Sequence, residues 1–76
     1  MISESDINDI VRQVIPKFDD QSNRNVELMK LEGWNSLNFV KIVMLLEVNY
    51  GVELDPINLA SVKTYADLLA VVKGTG

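Results

Sequence analysis

Asn35-Ser36-Leu37-Asn38-Phe39-Val40-Lys41-Ile42-Val43-Met44-Leu45-Leu46-Glu47-Val48-Asn49-Tyr50-Gly51 reads as one complete helix with its own start and stop. Asn35 is a good N-cap, because its side-chain oxygen can accept a hydrogen bond from the first turn. Gly51 is a good terminator, because glycine adopts the left-handed conformation that closes helices. The helix therefore runs from about Ser36 to Tyr50. At ~100° per residue its apolar side chains separate into two stripes. Phe39, Ile42, Val43, Leu46 and Tyr50 form a wide core-facing stripe. Leu37, Val40, Met44 and Val48 gather on nearly the opposite side, with Asn38, Lys41, Glu47 and Asn49 in the gaps. A surface helix needs only the first stripe. The second is either buried too, by a helix sitting centrally in a bundle, or it is a docking surface for a partner. Periodicity leaves both open.

Working outward, Ser3 caps an earlier helix, Glu4 and Asp6 favour its positive end, and Ile7, Ile10, Val11 and Val14 follow helical spacing. Pro16 stops it at about Ile15. From Lys17 to Asn35 helical periodicity is lost. Asp19-Asp20-Gln21-Ser22-Asn23 reads as a solvated turn, and Leu28 and Leu31 can pin the loop onto a core. The cluster is no calcium loop, since Arg24 stands where the sharp-turn glycine belongs and no glutamate closes it. Loops this long in small domains are often functional. Beyond Gly51, Asp55-Pro56 opens a short helix through Ile57 and Leu59. Thr64 caps a last one with Leu68, Leu69, Val71 and Val72 buried or partly buried, Lys73 near its end and Gly74 as its stop. The expected fold is all-α, a small four-helix bundle of three longer helices and one short one, in a single domain over residues 1–76.

Composition narrows the chemistry. The chain has 76 residues, 47% of them hydrophobic and 24% charged, as globular domains do. It has no cysteine and no histidine, which removes disulfides, thiol nucleophiles and the commonest general base and metal ligand. Eleven acidic against seven basic residues give a net charge of −4, which repels phosphate backbones and argues against nucleic acid as a partner. No apolar run suits a membrane span and Met1 to Asp9 is polar and acidic, so a cytoplasmic location is expected. Glu47 and Asp55 find no acid/base partner in the sequence, so an autonomous enzyme is not expected.

Ser36 sits at the first turn of the central helix, where unpaired N–H groups favour an anionic substituent such as a phosphate ester. Its surroundings, Gly33-Trp34-Asn35-Ser36-Leu37, resemble the motif of the acyl carrier proteins, an Asp-Ser-Leu tripeptide after a glycine and an apolar residue. Leu46-Glu47, Tyr50-Gly51-Val52 and Leu54 are similar to that family's exit from the same helix, and Thr64-Tyr65-Ala66-Asp67-Leu68 to its entry into the last one. The resemblance covers nearly the whole chain. It implies a protein that carries and does not catalyse. A phosphopantetheinyl transferase would move 4′-phosphopantetheine from coenzyme A onto Ser36. Acyl or aminoacyl groups would ride on the arm's thiol as thioesters, which fits a chain without cysteine. Acyl-loading and acyl-processing enzymes would be the partners, and the carrier is expected to act as a monomer.

Two departures from the family carry meaning. Asn35 stands where aspartate is usual, so a transferase that meets the aspartate with a basic group loses a charge; slow modification by generic transferases is expected. Many fatty-acid carriers also present several carboxylates on the recognition helix, whereas this one offers Glu47 and carries Lys41. A specialised fatty-acid, polyketide or related pathway is therefore expected, its enzymes reading Asn35, Leu37, Val40, Lys41, Met44, Glu47 and Val48. With little chain outside the helices, a free-standing carrier is expected. The rival reading is an unmodified interaction module that binds a partner through the Leu37/Val40/Met44/Val48 stripe.

Overall fold

The computed structural model describes residues 2–75, the side chain of Thr75 excepted. Among these residues five α-helices follow one another: α1 (Glu4–Val14), α2 (Asp20–Asn23), α3 (Ser36–Tyr50), α4 (Pro56–Ala60) and α5 (Tyr65–Thr75), with a 3-10 turn at Leu28–Lys30. An isolated bridge between Glu27 and Thr64 is the only β pairing among the described residues. The chain is therefore all-α.

The helix starts are built by local hydrogen bonding. Ser3 Oγ accepts from the Asp6 N–H at 3.2 Å while Asp6 Oδ2 accepts from the Ser3 N–H at 3.0 Å, a reciprocal capping box. Thr64 and Asp67 repeat the device at α5, and Asp67 also accepts from the Lys63 N–H. Asp55 caps α4, with Pro56 at its first position. Gly51 closes α3 in the left-handed region at φ 67°, its N–H donating to the Glu47 carbonyl.

One core joins these elements. Ile7, Ile10 and Val11 of α1 meet Ile42 and Leu46 of α3, and Tyr65, Leu68 and Val72 of α5 close over them. The long connection between α1 and α3 contributes Phe18, Leu28 and Trp34 as buried residues, with Leu31 packed against them. It is tied at its far side as well. The Leu28 N–H donates to Lys63 O at 2.7 Å and the Ala66 N–H to Arg24 O at 3.1 Å. Arg24 pairs with Glu4, and Arg12 reaches Asp20 Oδ1 and the Phe18 carbonyl. The radius of gyration, 11.1 Å, matches the ~11 Å of a well-packed chain of this length.

Three sequence expectations change. Residues Asp20–Asn23 form a helical turn, capped by Asp19, where a solvated turn was expected, so the chain has two short helices and not one. An aspartate whose side chain takes two following N–H groups opens either structure; here Arg12 of α1 pairs with Asp20, and Glu4 of α1 with Arg24 at the helix end. Gly74 does not stop the last helix, which continues to Thr75; Gly76 lies outside the described residues. Glycine ends a helix when it takes a positive φ, and among the described residues the positive-φ glycines are Gly33 and Gly51. Tyr50, placed in the core-facing stripe, is 39% exposed. It is the last residue of α3, and the core layer beyond Leu46 is filled by Val52 and Leu54 after the turn.

Candidate functional site

The entry to α3 is held from both sides. Trp34 is 5% exposed and lies in an aromatic chain, 6.0 Å from Phe18 and 6.1 Å from Phe39, with Phe18 itself 4.7 Å edge-on to Tyr65. The ring thus anchors the backbone just before Asn35 to the base of α5. Gly33 takes φ 84°, a left-handed conformation that favours glycine, and a Cβ there would stand 3.3 Å from Ile15 Cγ2, so that side chain would have to shift by a few tenths of an ångström. Asn35 Oδ1 accepts from the Asn38 N–H at 2.8 Å, and Asn38 Nδ2 donates back to the Gly33 carbonyl at 2.6 Å. Sequence reading found Asn35 but missed Asn38 and the anchoring by Trp34. The signal for Asn38 was there, a second amide one turn inside the cap.

Ser36 occupies the first position of α3 and is exposed. Its hydroxyl makes no hydrogen bond among the described residues. The first turn of α3 carries no carboxylate, unlike α1 with Glu4 and Asp6 or α5 with Asp67. The positive end of this helix dipole is left uncompensated by side chains, next to a free hydroxyl. A phosphate ester fits that position chemically: space, an available oxygen and a favourable field.

The second apolar stripe is exposed. Leu37 is 65% accessible, Val40 51%, Met44 58% and Val48 80%. That excludes the alternative in which α3 buries both sides. Lys41 lies exposed beside them, outside the ion pairs of the described residues. Glu47 stands apart from this group. It is half-buried, and its Oε2 accepts from the Leu54 N–H at 3.2 Å, fastening the chain that leaves α3.

Of two shallow hollows nearby, one reaches the stripe at Met44. That one, of about 280 Å³, is lined by Val14, Lys41, Met44 and Leu45. The other, of about 260 Å³, shares Val14 and adds Ile15, Pro16, Lys17, Glu32 and Gly33. Ile57 on α4 is a further exposed apolar residue, 80% accessible, that the sequence did not single out. A helix of five residues is too short to phase. No cluster of potential metal ligands occurs among the described residues, and none of their helices is long and apolar enough to cross a membrane. Comparison with protein-family models, with curated proteins and with solved structures finds no match to this chain.

Proposed function

We propose that this chain is a carrier protein, a helical bundle of acyl-carrier type that holds acyl or aminoacyl intermediates as thioesters on a 4′-phosphopantetheine arm attached to Ser36. The observation that carries the reading is the exposed, unbonded Ser36 hydroxyl at the head of α3, where no carboxylate competes with a phosphate for the helix dipole. When attached, the arm supplies the thiol that a chain without cysteine lacks. Trp34, Gly33 and Asn38 hold the serine's backbone in place, so a modifying enzyme meets a preformed helix start. The resemblance of Gly33-Trp34-Asn35-Ser36-Leu37 to the carrier motif supports the same assignment. The carrier acts as a cytoplasmic monomer. A phosphopantetheinyl transferase loads it from coenzyme A, and the acyl-loading and acyl-processing enzymes of a specialised pathway use it.

The exposed Leu37, Val40, Met44 and Val48 also favour a second reading, an unmodified module that binds a protein partner through that face. One experiment separates the two. The protein is incubated with coenzyme A, magnesium and a broad-specificity phosphopantetheinyl transferase, and its intact mass is taken beside Ser36→Ala and Asn35→Asp. The carrier gains one phosphopantetheine, faster in Asn35→Asp and not at all in Ser36→Ala. If neither the wild type nor Asn35→Asp gains mass, the module reading takes its place.

A further inference from the structure

The outer face of α3 has a charge character opposite to that of the whole chain. From Gly33 to Leu46 there is no aspartate or glutamate and Lys41 is the one charged residue, in a protein of net charge −4. Lys41 stands one turn from Leu37 and next to Val40, and with Val14, Met44 and Leu45 it lines the hollow of about 280 Å³. A second hollow, which shares Val14 as a lining residue, has Lys17 and Glu32 at its edge. Neither lysine has a carboxylate within ion-pair distance among the described residues. Leu37 to Val48 extends over ~17 Å of helix, about three turns, and the first hollow meets this stripe at Met44.

We infer that α3 docks an amphipathic helix of a partner protein whose contact face is apolar and carries a carboxylate opposite Lys41. The charge points to this occupant over others. In a two-fold contact between copies centred on the stripe, both Lys41 ammonium groups fall near the axis and repel. A lone lysine on an acidic chain neutralises too little phosphate for nucleic acid, and an interfacial membrane helix needs a row of basic residues. A helix laid beside the stripe can cover its three exposed apolar turns, and its carboxylate meets an unpaired cation. The polarity is the reverse of that used by carriers that show acidic helices to basic enzymes. The inference deepens the carrier reading and rests on it for what the partner does, but not for the contact itself.

The test titrates isotope-labelled full-length protein with three helical peptides of identical leucine stripe, bearing Glu, Gln or Lys at the centre of the stripe. Amide shifts should concentrate at Val14 and from Leu37 to Val48. The Glu peptide should bind about two- to fivefold more tightly than the Gln peptide, and the Lys peptide more weakly still. Lys41→Glu should invert that order, and about 0.5 M salt should compress it. Ser36→Ala should leave it unchanged. Equal affinities for the three peptides, a preference for Lys, shifts centred elsewhere or no shifts at all would overturn the inference. Phosphopantetheine addition, scored by mass on the same preparation, keeps the two ideas separable. Lost modification with a retained Glu preference removes the carrier alone. Retained modification without that preference removes the acidic partner alone.

Discussion

Asn35 does two jobs, and they respond differently to substitution. Its side chain takes the Asn38 N–H, so Asn35→Ala strips the cap and should lower stability by about 1 kcal/mol, some 4–8 °C in melting temperature. Asn35→Asp keeps the cap and adds a negative charge at the helix start, so it should melt slightly higher and accept phosphopantetheine faster. Ser36→Ala should leave the melting temperature within about 2 °C, because the hydroxyl holds nothing in place, while abolishing modification. Tyr65 gives a prediction in alkali. It is fully buried, its hydroxyl donates to Asn8 Oδ1, and burial first, then Asp20, pushes its pKa well above the usual 10. A folded-state pKa raised above the unfolded one gives stability that is complete below pH 10 and lost as pH rises beyond it. Melting curves from pH 8 to 11.5 should show a fall above pH 10 that Tyr65→Phe largely removes. An equal fall in Tyr65→Phe would assign the alkaline sensitivity to other groups.

Among the elements, the glycines mark which helix ends are real. Gly51 stops α3 at φ 67° with nothing within 4 Å of its missing Cβ, so Gly51→Ala should cost about 1 kcal/mol from backbone conformation alone, and Gly51→Asn less. Gly74 lies inside α5 in open space, so Gly74→Ala should stabilise by a few tenths of a kcal/mol; a loss, read by urea denaturation, would mean that Gly74 is a stop after all. What was legible in the sequence follows the same division. Ser3, Asn35-Gly51 and Asp55-Pro56 carry their signals within a few residues, and α1, α3 and α4 begin where those residues say. Asp20–Asn23 was not legible, because four residues hold no period and the residues that pair with it and its C-cap Arg24, namely Arg12 and Glu4, come from α1. The site divides likewise. Ser36 and the Leu37/Val40/Met44/Val48 grouping follow from helical spacing, whereas its exposure does not, since that depends on where α1 and α5 pack. Trp34 shows the same limit: only the ring contacts with Phe18 and Phe39 reveal that it anchors the site.

For the molecule as a whole, acid tests the caps and truncation tests the core. Asp6, Asp19 and Asp67 sit below the ordinary carboxylate value of 3.8, held there by bonds from Ser3, from Ser22 and Gln21, and from Thr64 and Lys63. Depressed folded-state values give stability that is present above pH 4 and lost as pH falls through them. Melting temperature should hold from pH 7 to 5 and drop below 4, with a smaller drop in Asp67→Ala. A chain of 76 residues has a net stability on the order of 4–11 kcal/mol, with no covalent staple to add to it. Leu46 is fully buried, and Leu46→Ala should cost about 2–5 kcal/mol, roughly half of that margin. Met44, two residues earlier on the same helix, is 58% exposed, and Met44→Ala or Val48→Ala should stay within about 0.5 kcal/mol. Urea denaturation at neutral pH measures all three. The contrast bears on function as much as on stability. A face that costs nothing to truncate is free to meet something outside the fold. If Met44→Ala proved as damaging as Leu46→Ala, the stripe would belong to the core, and docking through it would have to be abandoned.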